Sequence, residues 1–382
     1  MRHETDPFGA ERPLVVRGRR QFGSLRTWVT TVLLAVLIVQ PAGAAQPWTL
    51  RVAVGGQQLV GSPLVWGKSQ AILLGRDGQL YEFDTHDAGS REKLSDTFAG
   101  YSQSEMRAAL VREFGERYEV SATGHYLVVH PAGQSSVWPE RFEKLYRSMT
   151  HYFQTRGIRA EQPQFPLVAV VFSRHDEFMR YAHNQGSRIS SNVLGYYDNM
   201  SNRIKMYDAS STRASAQNWE TNAATIVHEA AHQTAFNTGV HSRYSLPPRW
   251  LAEGLGTLFE APGIYDSRRY GTLTDRINQQ ELATVRTYFP KEIPSDALAA
   301  IIVDDKTFNR NPSSSYALCW ALTFMLAERE PHKLARYLQV TASRSVFKPY
   351  TVQQRATDYR QVFGEDIRMT SARLHRFIAE LP

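Results

Sequence analysis

A carboxylate set inside an apolar helix is the feature that most limits how this chain can fold. In PPRWLAEGLGTLFEAPG, Pro247 and Pro248 are placed to start a helix and Gly263 to end it. Trp250, Leu251, Leu255, Leu258 and Phe259 cover one broad face, and Glu253 sits among them. Burying a carboxylate without a cationic or metal partner is costly, so the fold has to supply one. The preceding segment, NAATIVHEAAHQTAFNTG, is helix-like, rich in alanine and closed by Gly239. It carries His228 and His232, which share a face because helical residues four apart lie one above the other. Glu253 follows His232 by 21 residues, and the short loop HSRYSL allows the second helix to fold back and aim Glu253 at the histidines.

Two imidazoles can point at one ion about 2.0–2.1 Å away, and a carboxylate completes a three-ligand zinc site. Such a site keeps an open position, as catalytic rather than structural zinc does. Glu229, one residue after the first histidine, lies to one side of the ligand axis. There it can act as a general base toward water without ligating. Glu260 is read as a surface or supporting residue without a role. The single cysteine, Cys319, forbids an intramolecular disulfide and a cysteine-rich zinc cage. It lies in an apolar helix and reads as a buried small hydrophobe. The chain has no G-x-S-x-G and no P-loop, so serine-hydrolase and nucleotide readings lack support.

HEAAHQ followed by WLAEGLGTLFE resembles the glutamate-zincin metallopeptidases, in which H-E-x-x-H is completed by a Glu in a downstream E-G motif. More narrowly, GYYDNMSNRIKMYD, TIVHEAAHQTAFNTG and PRWLAEGLGTLFE together resemble the bacterial domain-of-unknown-function family 1570, of the peptidase MA-like kind. The likeness is close over about 195–262 and looser from about 100 onward. It implies that His228, His232 and Glu253 bind Zn2+ and that Glu229 is the catalytic acid/base. It also implies that the strand ending in RIKMYD is a sheet edge on which an extended peptide lies. By position Tyr316, which opens YALCWALTFMLAE, resembles the downstream Tyr or His that stabilises the oxyanion in related zincins. His241, Tyr270, Tyr196 and Tyr197 are weaker candidates. One departure stands out: where many glutamate zincins carry an acid four residues after the ligand Glu, this chain has Thr257.

The rest of the sequence predicts an α+β fold in three parts. Residues 1–44 read as a secretory signal peptide, with six arginines, the uncharged run TWVTTVLLAVLIV and an Ala42-Gly43-Ala44 exit. The long basic flank leaves an uncleaved signal anchor as the alternative. Residues 45–98 read as a small β domain with a hairpin turn at Asp77-Gly78. Residues 99–382 form the zincin-like domain, with an α/β lobe over 99–239 containing a mixed sheet and the active-site helix, and a helical lobe over 240–382. FPLVAVVF suits a strand buried on both faces.

The net charge of +7 invites a polyanion-binding reading. Setting aside the leader's six arginines and three acids leaves +4, an ordinary surface balance that predicts no nucleic-acid partner. No later stretch is apolar enough to span a membrane. The expectation is therefore an exported zinc peptidase, periplasmic or secreted, acting on peptide or protein substrates. The alternative from a different class is a zinc-bearing binding or scaffold protein of the cell envelope that has lost turnover.

Overall fold

The computed structural model describes residues 48–133, 138–208, 216–364 and 366–382; the signal-peptide segment lies outside them. The fold is α+β, with two five-stranded sheets and a helical C-terminal part. No helix among the described residues is long and apolar enough to cross a membrane.

The first sheet comprises β1 (Thr49–Val54), β2 (Gln57–Trp66), β3 (Ala71–Gly75), β4 (Leu80–Phe83) and β5 (Ala88–Ser95). Its order is β4-β3-β2-β1-β5, antiparallel throughout. The β3–β4 turn is the Asp77-Gly78 hairpin, and Gly78 takes φ +82°, a conformation that favours glycine. This sheet is joined to the rest of the molecule at its β4 edge. There Leu80 N–H donates to Met200 O at 2.8 Å, and Ile72, Leu74 and Leu80 cluster with Phe165, Met200 and Tyr244.

The second sheet begins after α1 (Gln103–Phe114), which is opened by a Ser102–Glu105 capping box and closed by Gly115. It comprises β6 (Tyr118–Ala122), β7 (Tyr126–Pro131), β8 (Leu167–Phe172), β9 (Gly195–Asp198) and β10 (Arg203–Tyr207). Helix α2 (Trp138–Thr155) joins β7 to β8, and α3 (His175–Asn184) follows β8. The order β6-β7-β8-β10-β9 is mixed, with β7, β8 and β10 parallel and the two outer strands antiparallel to their neighbours. Strand β8 is buried along its whole length because alternate residues serve two cores. Leu167, Ala169 and Val171 face α2 and the helical part, whereas Val168, Val170 and Phe172 face α1 and α3.

One expectation is corrected here. The strand containing RIKMY is not the sheet edge: β10 lies between β8 and β9, and the edge strand is β9, GYYD. The parallel crossover through α3 brings β10 against β8, so the first arm of the hairpin is left outside.

The helical part continues with α4 (Ala216–Asn237), α5 (Arg249–Phe259), α6 (Pro262–Tyr265), α7 (Gln279–Tyr288), α8 (Ser295–Val303), α9 (Thr307–Arg310), α10 (Pro312–Arg329), α11 (Pro331–Ala342), α12 (Val352–Phe363) and α13 (Ile367–Glu380). Helix α4 stops at Asn237, just before Gly239 with φ +77°, as its sequence predicts, but it starts at Ala216 rather than Asn222. Helix α5 stops at Phe259, short of Gly263, because Pro262 opens the separate turn α6.

Glu143 on α2 ties this helix to the β6–β7 turn. It accepts hydrogen bonds from Thr123 Oγ1 (2.8 Å), His125 N (3.0 Å) and Arg147 Nε (2.9 Å), with His125 Nδ1 at 2.9 Å. Burial works against its charge, but these partners hold the carboxyl down at about 2. An unfolded glutamate titrates near about 4.3. The stability from this site is therefore complete above that pH and is lost as pH falls through about 2. The melting temperature of Glu143→Gln is expected to lie below that of the parent at pH 6, with the gap closing between pH 4.5 and 2. A gap independent of pH would contradict this assignment.

Candidate metal centre

Helix α4 is buried on every side from Ile226 to Phe236, held between the second sheet and α5. Gln233 fixes it to the sheet by donating to Val168 O (2.9 Å) and Asn202 O (3.0 Å). Its alanines at 230, 231 and 235 are wholly or almost wholly buried and keep the packing close. Helix α5 approaches through two glycines on different sides. A Cβ on Gly254 would run into Thr323 Oγ1 and the Cys319 carbonyl of α10. A Cβ on Gly256 would stand 2.7 Å from His228 Cε1. Larger residues at either position would displace α5 or the His228 ring.

This packing brings His228, His232 and Glu253 together as a buried group able to hold a metal ion. The two Nε2 atoms are 2.9 Å apart, and Glu253 Oε2 lies 3.3 Å from His228 Nε2 and 3.6 Å from His232 Nε2. Ligand atoms at 2.0–2.1 Å around a tetrahedral zinc ion are themselves about 3.3 Å apart, so the triangle has the right size. Glu253 is 0% exposed, and among the described residues neither of its oxygens accepts a well-formed hydrogen bond. An acceptor-only group left in this state deep in a core calls for a cation. Without one, burial opposes charge on His228, yet Glu253 and Glu260 push its pKa up to about 10. Burial likewise works against the charge of Glu253, and the two imidazoles draw its carboxyl down to about 2.

The support for His228 comes from a residue to which sequence reasoning gave no role. His228 Nδ1–H donates to Glu260 Oε1 at 2.8 Å, and Glu260 Oε2 accepts from Asn278 Nδ2 at 2.9 Å. This bond fixes the tautomer that leaves Nε2 free to ligate. Thr257 does not substitute for an acid, since its hydroxyl bonds back to the Glu253 and Gly254 carbonyls. A signal for Glu260 was present in the sequence. It stands seven residues after Glu253, two helical turns along the same face. Asn278 had no comparable signal, because it arrives from the cap of α7.

Glu229 projects toward the sheet edge. Its Oε2 accepts the Tyr197 N–H of β9 at 2.7 Å, a donor that points away from β10. Tyr316 sits at the start of α10, its hydroxyl 3.5 Å from Arg249 Nη2, and Arg249 Nε lies 3.9 Å from Glu253 Oε1. Of the weaker candidates, Tyr197 contributes its amide, while Tyr196 turns to the opposite face and bonds Ser187. Tyr270 lies on the loop after α6, where Arg269 packs over its ring. His241 is buried after α4, and that burial together with nearby His232 lowers its pKa to about 3, so it is neutral.

Residues 222–348 match the family model described as protein of unknown function (DUF1570). The matched stretch contains His228, Glu229, His232, Glu253, Glu260, Asn278 and Tyr316, leaving only the β9 edge outside. No curated protein matches the chain.

Proposed function

We propose that this chain is an exported zinc-dependent peptidase, with the zinc held by His228, His232 and Glu253. The supporting observation is the convergence of three buried ligating atoms with a fourth side chain, Glu229, held from the free edge of a sheet. Bound zinc would supply Lewis acidity toward a scissile carbonyl and its attacking water. Glu229 then takes the water's proton and passes it to the leaving amine. Strand β9 is the edge along which an extended peptide would add, through the outward backbone groups other than the Tyr197 N–H that Glu229 holds. Glu260 and Asn278 keep His228 in register. Tyr316 is the proposed donor to the developing oxyanion, and Arg249 is its neighbour beside Glu253. Export rests on the leader-like segment 1–44.

Glu260→Gln keeps the shape of the support but loses its charge. It is expected to weaken zinc affinity by about 10–100-fold, the usual cost of losing an outer-shell partner. Competition with a chromogenic chelator measures this, and unchanged affinity would remove Glu260 from the centre. Tyr316→Phe is expected to lower kcat on a cleaved peptide by about 10²-fold at unchanged zinc content. Equal kcat in the variant would exclude the hydroxyl.

The second reading, a zinc-bearing scaffold without turnover, draws on the depth of the centre. Glu229, His232 and Glu253 are each 1% exposed or less. Stoichiometric zinc with no Glu229-dependent cleavage in an unbiased peptide screen would favour it.

A further inference from the structure

A cavity of about 870 Å³ opens beside the C-terminal end of α4, and none of His228, His232 and Glu253 lines it. Its walls are the C-terminal end of α4, the loop that follows, the segment before β8, and α11. Two observations mark it as built for a ligand. First, His241 is 1% exposed and lines the cavity, yet neither ring nitrogen has a hydrogen-bond partner among the described residues. Second, the charges are one-sided. Among the described residues Arg159, Arg243 and Arg336 line the cavity against a single acid, Glu161, which is paired with Arg159 at 3.0 Å. Arg243 is buried and fixed in place, donating to Asn199 O at 2.7 Å. Arg336 is exposed on α11.

Two contacts join the walls of the cavity to the β9 region. Tyr197, whose N–H holds Glu229, stacks its ring on Phe236 with centroids 5.8 Å apart, and Phe236 is a cavity wall. Phe236 stands one turn beyond His232 on α4. The carbonyl that anchors Arg243 belongs to Asn199, two residues along from Tyr197 in the turn that follows β9.

We infer that this cavity receives a carboxylate of the peptide substrate. The inference rests on the peptidase reading and names the substrate class for the same site. Arg243 and Arg336 offer charge-assisted donors, and the His241 ring offers a neutral N–H. A buried donor that only an acceptor can satisfy penalises a peptide lacking one, which is how polar pockets discriminate. The carboxylate has two sources, an acidic side chain or a chain terminus, and the test separates them.

The test uses the full chain as Glu229→Gln, loaded with zinc, so that peptides bind without turnover. The probes are heptapeptides carrying Glu or Gln at each position in turn, and one sequence ending in either a free carboxylate or an amide. Binding is read by calorimetry. At one or two adjacent positions the Glu peptide is expected to bind at least tenfold more tightly than its Gln partner, which assigns a side chain. The same preference confined to the terminal pair assigns a terminus, and either result supports the inference. The preference is expected to fall below threefold when Arg336→Glu is added, with zinc content and melting temperature reporting the fold. Peptides that bind with no acid preference at all would overturn the inference and leave the peptidase reading standing. So would a preference unchanged in both Arg336→Glu and His241→Phe backgrounds. Absence of binding by every peptide would count against the peptidase reading, and the inference would fall with it.

Discussion

Glu229→Gln is expected to keep one zinc per chain and to lower peptide cleavage by at least about 10³-fold. Glutamine has the same shape, and its carbonyl oxygen can still accept the Tyr197 N–H that now meets Glu229 at 2.7 Å. None of the three side chains proposed to hold the metal is touched. What disappears is a group able to take a proton from water and return it to the leaving amine. Zinc content by mass spectrometry and turnover on a cleaved peptide separate the two roles. Cleavage undiminished at full zinc content would sink the assignment of Glu229 as the base.

The other large effect is expected from Glu253→Ala. This carboxylate lies 3.3 Å and 3.6 Å from the two histidine Nε2 atoms and is completely buried. Losing it leaves two imidazoles, and zinc affinity is expected to fall by more than about 10²-fold, beyond the cost of losing an outer-shell partner. Zinc at a thousandfold excess over its Kd stabilises the parent by about 4 kcal/mol through linkage. The alanine variant is expected to show almost none of that zinc-dependent rise in melting temperature. Because the truncation also removes the partner of a buried His228, Glu253→Gln is the companion variant that keeps the volume filled. Zinc raising the melting temperature of both variants as much as that of the parent would place the metal elsewhere.

How much of this was legible in the sequence differs residue by residue. His228 and His232 were readable because helical periodicity alone puts them on one face. Glu253 was readable because an acid among Trp250, Leu251 and Leu255 needs a cation. Strand β8 announced itself by an unbroken apolar run, the mark of burial on two faces. By contrast β5, AGSREKLS, is mostly polar and exposed, and only its pairing with β1 makes it a strand. The edge strand was misplaced because the two arms of the 195–208 hairpin look alike. Which arm lies outside is decided by a crossover that local pattern does not encode. The grip on Glu229 is a backbone amide, which has no residue signature at all. Glu260 carried only the weaker signal of its spacing, because an acid at the end of a helix is as readily a surface residue as a support for His228.

Peptide cleavage is expected to depend on a metal held by His228, His232 and Glu253. The most direct measurement is unbiased peptide-cleavage profiling of the purified protein as isolated, after removal of metal by a chelator, and after return of zinc. The expected result is cleavage that vanishes with the metal and reappears in full at one equivalent of zinc. Cleavage that persists in the metal-free protein, or none in protein carrying one zinc per chain, would contradict it.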